Sequence, residues 1–428
     1  MSGSRFVFAA CLLCIIGTTD DVAGQSVRGR FQIPMRSTLD RYGLERVWVG
    51  QATLNPSRDK LSHVVLDEEV VIAQASSGIV TAFDSETGRK FWSVQLGRTD
   101  LKSFAAVTNQ DQVIVIAGSQ VYAVQKYTGE LLWQHEIPEQ PSVSPSMDEK
   151  NLYIGTLQGN VYAYDLATIQ SLYKESKLDG WRHEARRWSF RTGHKIQTPP
   201  VTGQRKQKTK TKIADRVVAF ANASNQLYSV GTLRGELIFQ FETDEAVSTP
   251  MAQRNEWVLM ASQDFRLYCI NINNGGLRWI FPSGRPIKMP PRIIGQNIFL
   301  TPDLAGLLCL DFETGERLWW RQGIKRFLGA TPELVFAADA SNNIAVLDRR
   351  SGSPIGTLAL SHYKVHMEND RTDRLYLATT TGQIVCIRQK GRSFPIYHKH
   401  PERRPIMPEF AQDMMQKKEM VDPVDNEI

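Results

Sequence analysis

The chain has 428 residues, of which 42% are hydrophobic and 22% are charged, with 30 glycines and 20 prolines. This composition is that of a globular protein, and it excludes a disordered or collagen-like chain. The formal net charge of +6 favours an anionic partner, although most of the positive charge is concentrated in one segment.

The N-terminus has the pattern of a secretory signal peptide. Arg5 precedes an apolar run over residues 6–16, and small residues at 22–24 place a cleavage site after Gly24. The apolar run is too short to span a bilayer, and no later run is long enough. We therefore expect a signal peptide at 1–24, a mature chain without a transmembrane span, and a periplasmic or cell-envelope location. An uncleaved interfacial anchor is the alternative.

The repeat begins with an isolated strand. Residues 44–49, which include Trp48, alternate as a strand does but have no partner strand nearby in the sequence. A β-rich tetrad with a small third residue then recurs at positions 80, 121, 161, 227, 267, 307, 344 and 384. The steps are 41, 40, 66, 40, 40, 37 and 40 residues, and a period near 40 is typical of a four-stranded propeller blade.

A small residue and an aromatic residue are ten positions apart in most copies. Interiors are densely packed, so an indole requires a neighbour of low volume. The pairs are Ala82 with Trp92, Ala123 with Trp133, Ser229 with Phe239, Cys269 with Trp279, and Cys309 with Trp319. The seventh copy has Val346 and Gly356 instead, which we interpret as an exchange of volume between the two positions.

The third blade offers two candidates for its aromatic residue. Tyr173 has the ten-residue spacing from Ala163, whereas Trp188 lies eight residues before Ile196, as in the later repeats. We prefer Trp188 because the segment 196–200 closely resembles 287–291.

The eighth copy, at 384–387, has no aromatic strand after it. If the strand at 44–49 completes this blade, Trp48 lies beside Cys386 and no sheet edge is left open. The sequence therefore predicts an all-β fold, an eight-bladed β-propeller of four-stranded antiparallel blades over residues 44–388, closed by the N-terminal strand. Residues 389–428 are expected to form a flexible tail.

The cysteines have a packing role. Cys11 and Cys14 fall in the signal peptide, and Cys269, Cys309 and Cys386 occupy the small-residue position of their blades. An odd number of mature cysteines excludes a complete disulfide framework. We therefore expect buried small hydrophobic residues.

The phrase D-x-x-T-G-x-x-x-W, at Asp84–Trp92 and Asp311–Trp319, resembles the repeat of the pyrroloquinoline-quinone (PQQ) propeller superfamily. That resemblance implies one of two functions. Some members are PQQ- and calcium-dependent dehydrogenases, and others are non-catalytic, such as the propeller lipoprotein of the outer-membrane β-barrel assembly complex. This chain is similar in length to the second kind.

The residues themselves favour the non-catalytic kind. The adjacent cysteines that many of the dehydrogenases carry are missing. Turn chemistry accounts for Asp264, Asp303 and Asp339, which are the aspartates best placed to line one face. We therefore assign no catalytic, cofactor-binding or metal-binding residue.

The 66-residue step contains a basic insertion. Residues 169–213 carry twelve Lys and Arg against three Asp and Glu, a net charge of +9. The proposed patch has two groups on one propeller face: Arg182, Arg186 and Arg187 in the loop between the third and fourth strands of one blade, and Arg205, Lys206, Lys208, Lys210 and Lys212 in the loop between the first two strands of the next. A solvated loop is the simpler interpretation, and docking to an anionic protein, lipid or polysaccharide surface is the functional one.

Taken together, these features predict a non-catalytic exported scaffold without a cofactor. It would bind other envelope proteins, in outer-membrane protein assembly, and not nucleic acid, because no nucleic-acid-binding motif is evident. The alternative is a quinoprotein dehydrogenase that uses PQQ and calcium.

Overall fold

The computed structural model describes residues 33–178, 180, 182–204 and 216–399. Within these residues, the chain forms eight four-stranded antiparallel sheets and three short helices. Each sheet is one blade of a propeller. Four strands that follow one another in the chain make up every blade except the last. The eight-bladed fold predicted from the sequence is confirmed.

The N-terminal elements and the first four blades lie in chain order. The N-terminal elements are α1 (Arg36–Asp40) and β1 (Leu44–Gln51). Blades one and two contain β2 (Leu61–Leu66), β3 (Val70–Ala75), β4 (Ile79–Asp84), β5 (Lys90–Gln95), β6 (Val107–Thr108), β7 (Gln112–Ala117), β8 (Gln120–Gln125) and β9 (Leu131–Glu136). Blades three and four contain β10 (Ser146–Met147), β11 (Asn151–Gly155), β12 (Asn160–Asp165), α2 (Leu166–Lys174), α3 (Arg182–Ala185), β13 (Arg186–Arg191), β14 (Val201–Gln204), β15 (Arg216–Ala221), β16 (Gln226–Gly231) and β17 (Leu237–Glu242).

The last four blades follow the same pattern. Blades five and six contain β18 (Ala252–Arg254), β19 (Trp257–Ala261), β20 (Arg266–Asn271), β21 (Leu277–Pro282), β22 (Arg292–Ile294), β23 (Asn297–Leu300), β24 (Leu307–Asp311) and β25 (Arg317–Arg321). Blades seven and eight contain β26 (Ile324–Ala330), β27 (Leu334–Asp339), β28 (Ile344–Asp348), β29 (Pro354–Leu358), β30 (Val365–His366), β31 (Leu375–Ala378) and β32 (Gln383–Gln389), and β1 is the fourth strand of blade eight.

The ring is closed by the N-terminal strand, as predicted. β1 pairs antiparallel with β32, and Trp48 lies opposite Cys386. The Trp48 indole Nε1 donates a hydrogen bond of 2.8 Å to the carbonyl of Ser85 in blade one. The buried Arg374 guanidinium of blade eight also binds Glu86 of blade one, with an Nη2–Oε2 distance of 2.8 Å. Both contacts join the last blade to the first.

The small residue lies directly opposite the aromatic residue in the other blades as well. Ala82 faces Trp92, Ala123 faces Trp133, Ala163 faces Trp188, Cys269 faces Trp279, and Cys309 faces Trp319. Each pair is followed by a register shift in the sheet. Trp188, and not Tyr173, is therefore the aromatic residue of blade three.

Blade seven replaces its missing aromatic residue with one from the N-terminal segment. Val346 lies opposite Gly356, and a Cβ atom at Gly356 would collide with the ring of Tyr42. Tyr42 lies between α1 and β1 and packs against the core shared by blades seven and eight. The volume exchange inferred for this blade thus includes a third residue, because Tyr42 occupies the space above Gly356.

The three cysteines are free thiols buried in the core. Burial raises the pKa of Cys269 and of Cys309 to about 12. A thiol with so high a pKa carries almost no reactive thiolate at neutral pH. These residues therefore act as small apolar side chains.

Five indoles dock on a turn of the following blade. Trp92 Nε1 donates a hydrogen bond of 2.8 Å to the carbonyl of Lys126, and the Trp92 ring covers Gly129, which has a φ of +75°. Trp48, Trp188, Trp279 and Trp319 make the equivalent hydrogen bonds to Ser85, Thr232, Phe312 and Arg349. The turn between the third and fourth strands of the following blade therefore supplies both the acceptor and, at its glycine, the free space that the indole needs.

We predict that Gly129→Ala destabilises the fold more than Gly284→Ala does. Both glycines have positive φ, so both substitutions cost about 1–2 kcal/mol. An added Cβ at Gly129 would lie 2.6 Å from Trp92 Cγ, whereas at Gly284 nothing lies within 4 Å. Overpacking should therefore cost Gly129→Ala about 1–3 kcal/mol more. Equal denaturation midpoints for the two variants would contradict this account of blade docking.

Candidate functional site

The insertion in blade three replaces the turn that the other blades use for indole docking. Asp165 caps α2 by accepting a hydrogen bond of 2.8 Å from Thr168 N. Ile169 of α2 is buried in the same cluster as Trp133 of blade two. The Trp133 indole nitrogen is buried without a hydrogen-bond partner in the described part of the chain. The insertion therefore covers Trp133 with apolar side chains instead of presenting a carbonyl to it.

The first group of the basic patch is less loop-like than predicted. Arg182 begins α3, but Arg186 and Arg187 are the first two residues of β13. Arg187 forms an ion pair with Asp165, and the Arg186 guanidinium lies 5.7 Å from the centre of the Tyr162 ring. The loop assignment was wrong for Arg186 and Arg187 because the outer strand starts two residues before Trp188.

The second group of the patch, from Arg205 to Lys212, lies outside the described residues. Arg186 and Arg187 follow α3 directly at the start of β13. We call the propeller face that carries this connection between β12 and β13, with α2 and α3, the insertion face.

A cavity of about 620 Å³ lies among the inner strands, around the propeller axis. Apolar residues such as Val65, Ala106 and Met251 line much of its wall. Charged side chains also line it, from the segment 366–371, from Arg292 and Arg326, and from Lys399. We call this cavity the central channel.

The charges in the central channel are paired. Arg292 Nε lies 2.7 Å from Glu368 Oε2, and Arg371 Nη1 lies 3.4 Å from Glu68 Oε1. Burial opposes ionisation of Asp370, but Lys399, Arg292 and Arg371 outweigh it and hold the pKa of Asp370 well below its usual value. Repulsion from Arg371, together with burial, lowers the pKa of Lys399.

The residues of the channel do not fit a quinone–calcium site. Calcium binds six to eight oxygen atoms, many of them from carboxylates, whereas Glu68, Glu368 and Asp370 already face arginine side chains. Outside the masked segments, no group of three or more His, Cys, Asp or Glu side chains is arranged to hold a metal ion. We therefore derive no chemistry through such a cofactor.

The turn aspartates that might have served such a site have other partners. Asp339 Oδ1 accepts hydrogen bonds from Ser341 N and Asn343 N, at 2.8 and 2.9 Å. Asp264 Oδ1 accepts a hydrogen bond of 2.9 Å from Arg266 N. Asp303 forms an ion pair with Lys288, with an Oδ2–Nζ distance of 2.5 Å. These carboxylates stabilise turns and ion pairs on the surface.

Two turns on the opposite face carry exposed apolar residues that the sequence analysis missed. Leu304 has a φ of +58° and is 89% exposed, and Phe265 has a φ of +65° and is 44% exposed. Phe265 stands where the equivalent turns of the other blades have a glycine or asparagine with positive φ: Gly78, Gly118, Gly159, Asn225, Gly306, Asn342 and Gly382. In blade six, Leu304 is a further residue with positive φ in the same turn as Gly306. Bulky residues at such positions are strained. Comparing the eight turns in the sequence could have revealed Phe265, because it replaces the glycine or asparagine of the other turns.

A tryptophan supports one of these turns. Trp320 on β25 is 46% exposed, and its Nε1 donates a hydrogen bond of 2.6 Å to the carbonyl of Ala305. This bond holds the backbone beside Leu304 in place. Phe265, Leu304 and Trp320 lie on the neighbouring blades five and six, and we call these three residues the apolar turn surface.

The start of the tail packs on blade eight. Tyr397 pairs with Thr372, and His398 N donates a hydrogen bond of 2.7 Å to the carbonyl of Arg371. His398 Nε2 lies 3.2 Å from the carbonyl of Ala330 in blade seven. These contacts bring Lys399 to the wall of the central channel. Residues 400–428 lie outside the described residues.

The fold and the docked indoles define a PQQ-like β-propeller. The family model described as outer membrane protein assembly factor BamB matches residues 49–186 and 181–398. Since these matches cover most of the sequence, the chain belongs to this family.

Two solved structures support the fold. The crystal structure of BamB from Moraxella catarrhalis has a TM-score of 0.56 and 14% identity, and the match covers 81% of this chain and 98% of that one. The computationally designed Ika8 protein has a TM-score of 0.59 and 12% identity, with 80% and 99% covered. At such low identity these matches show the fold alone. Comparison with curated proteins gives no match.

The anchoring of the tail generates a pH prediction. Burial lowers the pKa of His398 and of His366 from the ordinary value of 6.5. The folded protein therefore binds fewer protons at these two histidines than the unfolded chain does. The contribution of the neutral histidines to the free energy of unfolding is complete above pH 6.5 and is lost as the pH falls. We expect the denaturant concentration at the unfolding midpoint to decrease as the pH is lowered from about 7.5 to 5.5. The double variant His366→Gln, His398→Gln should show a shallower slope, and an unchanged slope would contradict this assignment.

Proposed function

We propose that this protein is an exported, non-catalytic scaffold that binds other envelope proteins during outer-membrane protein assembly. Membership of the assembly-factor family supports this role. The predicted signal peptide supports export, although residues 1–24 lie outside the described part of the chain. Among the described residues, no helix has the length and apolar character needed to cross a bilayer.

The observation that carries the proposal is the apolar turn surface. Leu304 and Phe265 are bulky side chains in a backbone conformation that favours glycine or asparagine, and they contribute little to the core because they are exposed. A fold does not need such residues there, so their presence indicates a role in contact with a partner. Apolar and aromatic side chains on rigid turns are typical of binding hot spots.

The basic patch supports a second contact on the insertion face. Its net positive charge would attract an anionic surface, whether a protein, a lipid headgroup or a polysaccharide. Arg187 is unsuited to this role because Asp165 already neutralises it. The segment from Arg205 to Lys212 therefore carries most of this second proposal.

The competing dehydrogenase function has a direct test. Purified protein would be mixed with PQQ and calcium, and its absorbance spectrum and dye-linked alcohol oxidation would be recorded. A bound quinone with turnover would overturn the non-catalytic proposal. We expect neither, because the channel carboxylates are paired with arginines.

We predict that the double variant Phe265→Asn, Leu304→Asn is more stable than the parent but binds its partner less well. Asparagine tolerates positive φ, so the substitutions relieve strain and should raise the free energy of unfolding by about 0.5–2 kcal/mol. The denaturation midpoint should rise accordingly. Loss of exposed apolar contact should reduce the amount of assembly-machinery protein that co-purifies from envelope extract, measured by quantitative mass spectrometry. Because stability rises, misfolding cannot explain the loss.

Leu318→Asn is the matched control. Leu318 is 53% exposed on the outer strand of blade six, outside the turns. Replacing it removes similar apolar area and should leave co-purification unchanged. If the turn variant and the parent recover the same proteins in equal amounts, the apolar turn surface is not the docking site.

We also predict that replacing Lys206, Lys208, Lys210 and Lys212 with glutamine weakens capture in a salt-sensitive way. Screening by salt reduces the attraction between exposed charges. The amount of parent protein that is captured should therefore decrease when the salt concentration is raised from about 50 to 300 mM, whereas capture of the variant should change little. Capture by surface-immobilised partner at both salt concentrations measures this. Identical salt dependence in the two proteins would remove the basic patch from the proposal.

A further inference from the structure

The insertion in blade three creates a second cavity of about 230 Å³. It lies where the outer strand of blade two meets the inserted helices of blade three. Its walls come from β9 and the residues after it, from β12, from α3 and from the start of β13: His135, Glu136, Pro138, Tyr164, His183 and Arg186. The cavity therefore depends on the insertion, since two of its walls are inserted segments.

The inner wall is made of flat rings. Tyr164 is 2% exposed and His135 is 5% exposed, and their ring centres lie 5.2 Å apart at an angle of 69°. Pro138 adds a third ring. Small-molecule pockets in proteins are typically apolar with a few well-placed polar groups, and this wall has that character.

The Tyr164 hydroxyl is the polar group of the inner wall. It has no hydrogen bond to any of the described residues, although Tyr164 is almost completely buried. Burial raises the pKa of Tyr164 well above its ordinary value, so the hydroxyl stays protonated and can donate. Tyr164 lines the cavity, so an acceptor atom of a bound molecule could receive this hydrogen bond there.

Arg186 lies at the rim of the cavity. Among the described residues no carboxylate lies within ion-pair distance of it, in contrast to Arg187, which binds Asp165. Its guanidinium lies 5.7 Å from the centre of the Tyr162 ring, and this contact limits its movement. Glu136 also lines the cavity, but it is an exposed residue.

We propose that this cavity binds a small carboxylate with a flat apolar body. The guanidinium of Arg186 has the geometry to hold a carboxylate through two hydrogen bonds. The Tyr164 hydroxyl donates a further bond, and the body of the ligand packs against the wall that Tyr164, His135 and Pro138 form. Glu136 opposes binding by repulsion. This site shares Arg186 with the basic patch but uses neither the segment from Arg205 to Lys212 nor the apolar turn surface, and its ligand is a small molecule, so the inference does not depend on the scaffold function.

The test uses 4-fluorobenzoate as the probe and the full mature chain as the protein. Ligand-observed ¹⁹F NMR titration gives the dissociation constant. Arg186→Gln should weaken binding about tenfold or more, because it removes a charge-assisted pair of hydrogen bonds. Tyr164→Phe keeps the ring and should weaken binding by a smaller factor of about three to ten. Thermal denaturation of each variant checks the fold.

Two further arms separate this proposal from unspecific attraction. Arg191→Gln removes a charge at the other end of the same strand, away from the cavity, and should leave the affinity unchanged. Glu136→Gln should tighten binding by a factor of about two to five, and the neutral 4-fluorobenzamide should bind the parent more weakly than 4-fluorobenzoate. The proposal is overturned if 4-fluorobenzoate does not bind, if Arg186→Gln and Arg191→Gln behave alike, or if Glu136→Gln weakens binding.

Discussion

The structure depends on one repeated contact, an indole that lies beside a small residue and docks on the turn of the next blade. Within a blade, the small neighbour leaves room for the ring, as Ala82 does for Trp92. Between blades, the indole nitrogen bonds to a turn carbonyl, and the ring covers a glycine, as Trp92 does with Lys126 and Gly129. One side chain therefore stabilises both the sheet and the ring. Repeating it at five of the eight junctions sets the relative position of the blades that it joins.

Departures from this contact coincide with the distinctive features of the molecule. In blade seven, Tyr42 fills the space of the missing ring and so ties the N-terminal segment to the last two blades. In blade three, the insertion removes the turn that would bind Trp133, whose indole nitrogen has no described partner. The same insertion walls the cavity around Tyr164 and places positive charge on one face. The hydrogen bond that Trp133 lacks therefore coincides with a cavity that is built by the insertion.

The two faces of the propeller differ in chemical character. The insertion face carries the inserted helices α2 and α3, whereas the opposite face carries Phe265 and Leu304 in strained turns. Between the faces, the central channel holds arginines and carboxylates in mutual ion pairs, for example Arg292 with Glu368. These pairs offset most of the charge that lines the channel, and the proposed partner contacts therefore lie on the two faces.

The sequence by itself determined the number of blades, the pairing of small and aromatic residues, and the closing pair of Trp48 with Cys386. Local patterns are sufficient for these three features because every blade repeats the alternation of its strands, the residues of its turns and the volumes of its paired side chains. Only the tertiary structure decided that Tyr42 fills blade seven, that Arg187 is neutralised by Asp165, and that Tyr164 borders a cavity with Arg186. These contacts join residues of unrelated local patterns, and the backbone strain at Leu304 shows only in the dihedral angles of its turn. Such contacts depend on how segments distant in the sequence meet, which no repeat period encodes.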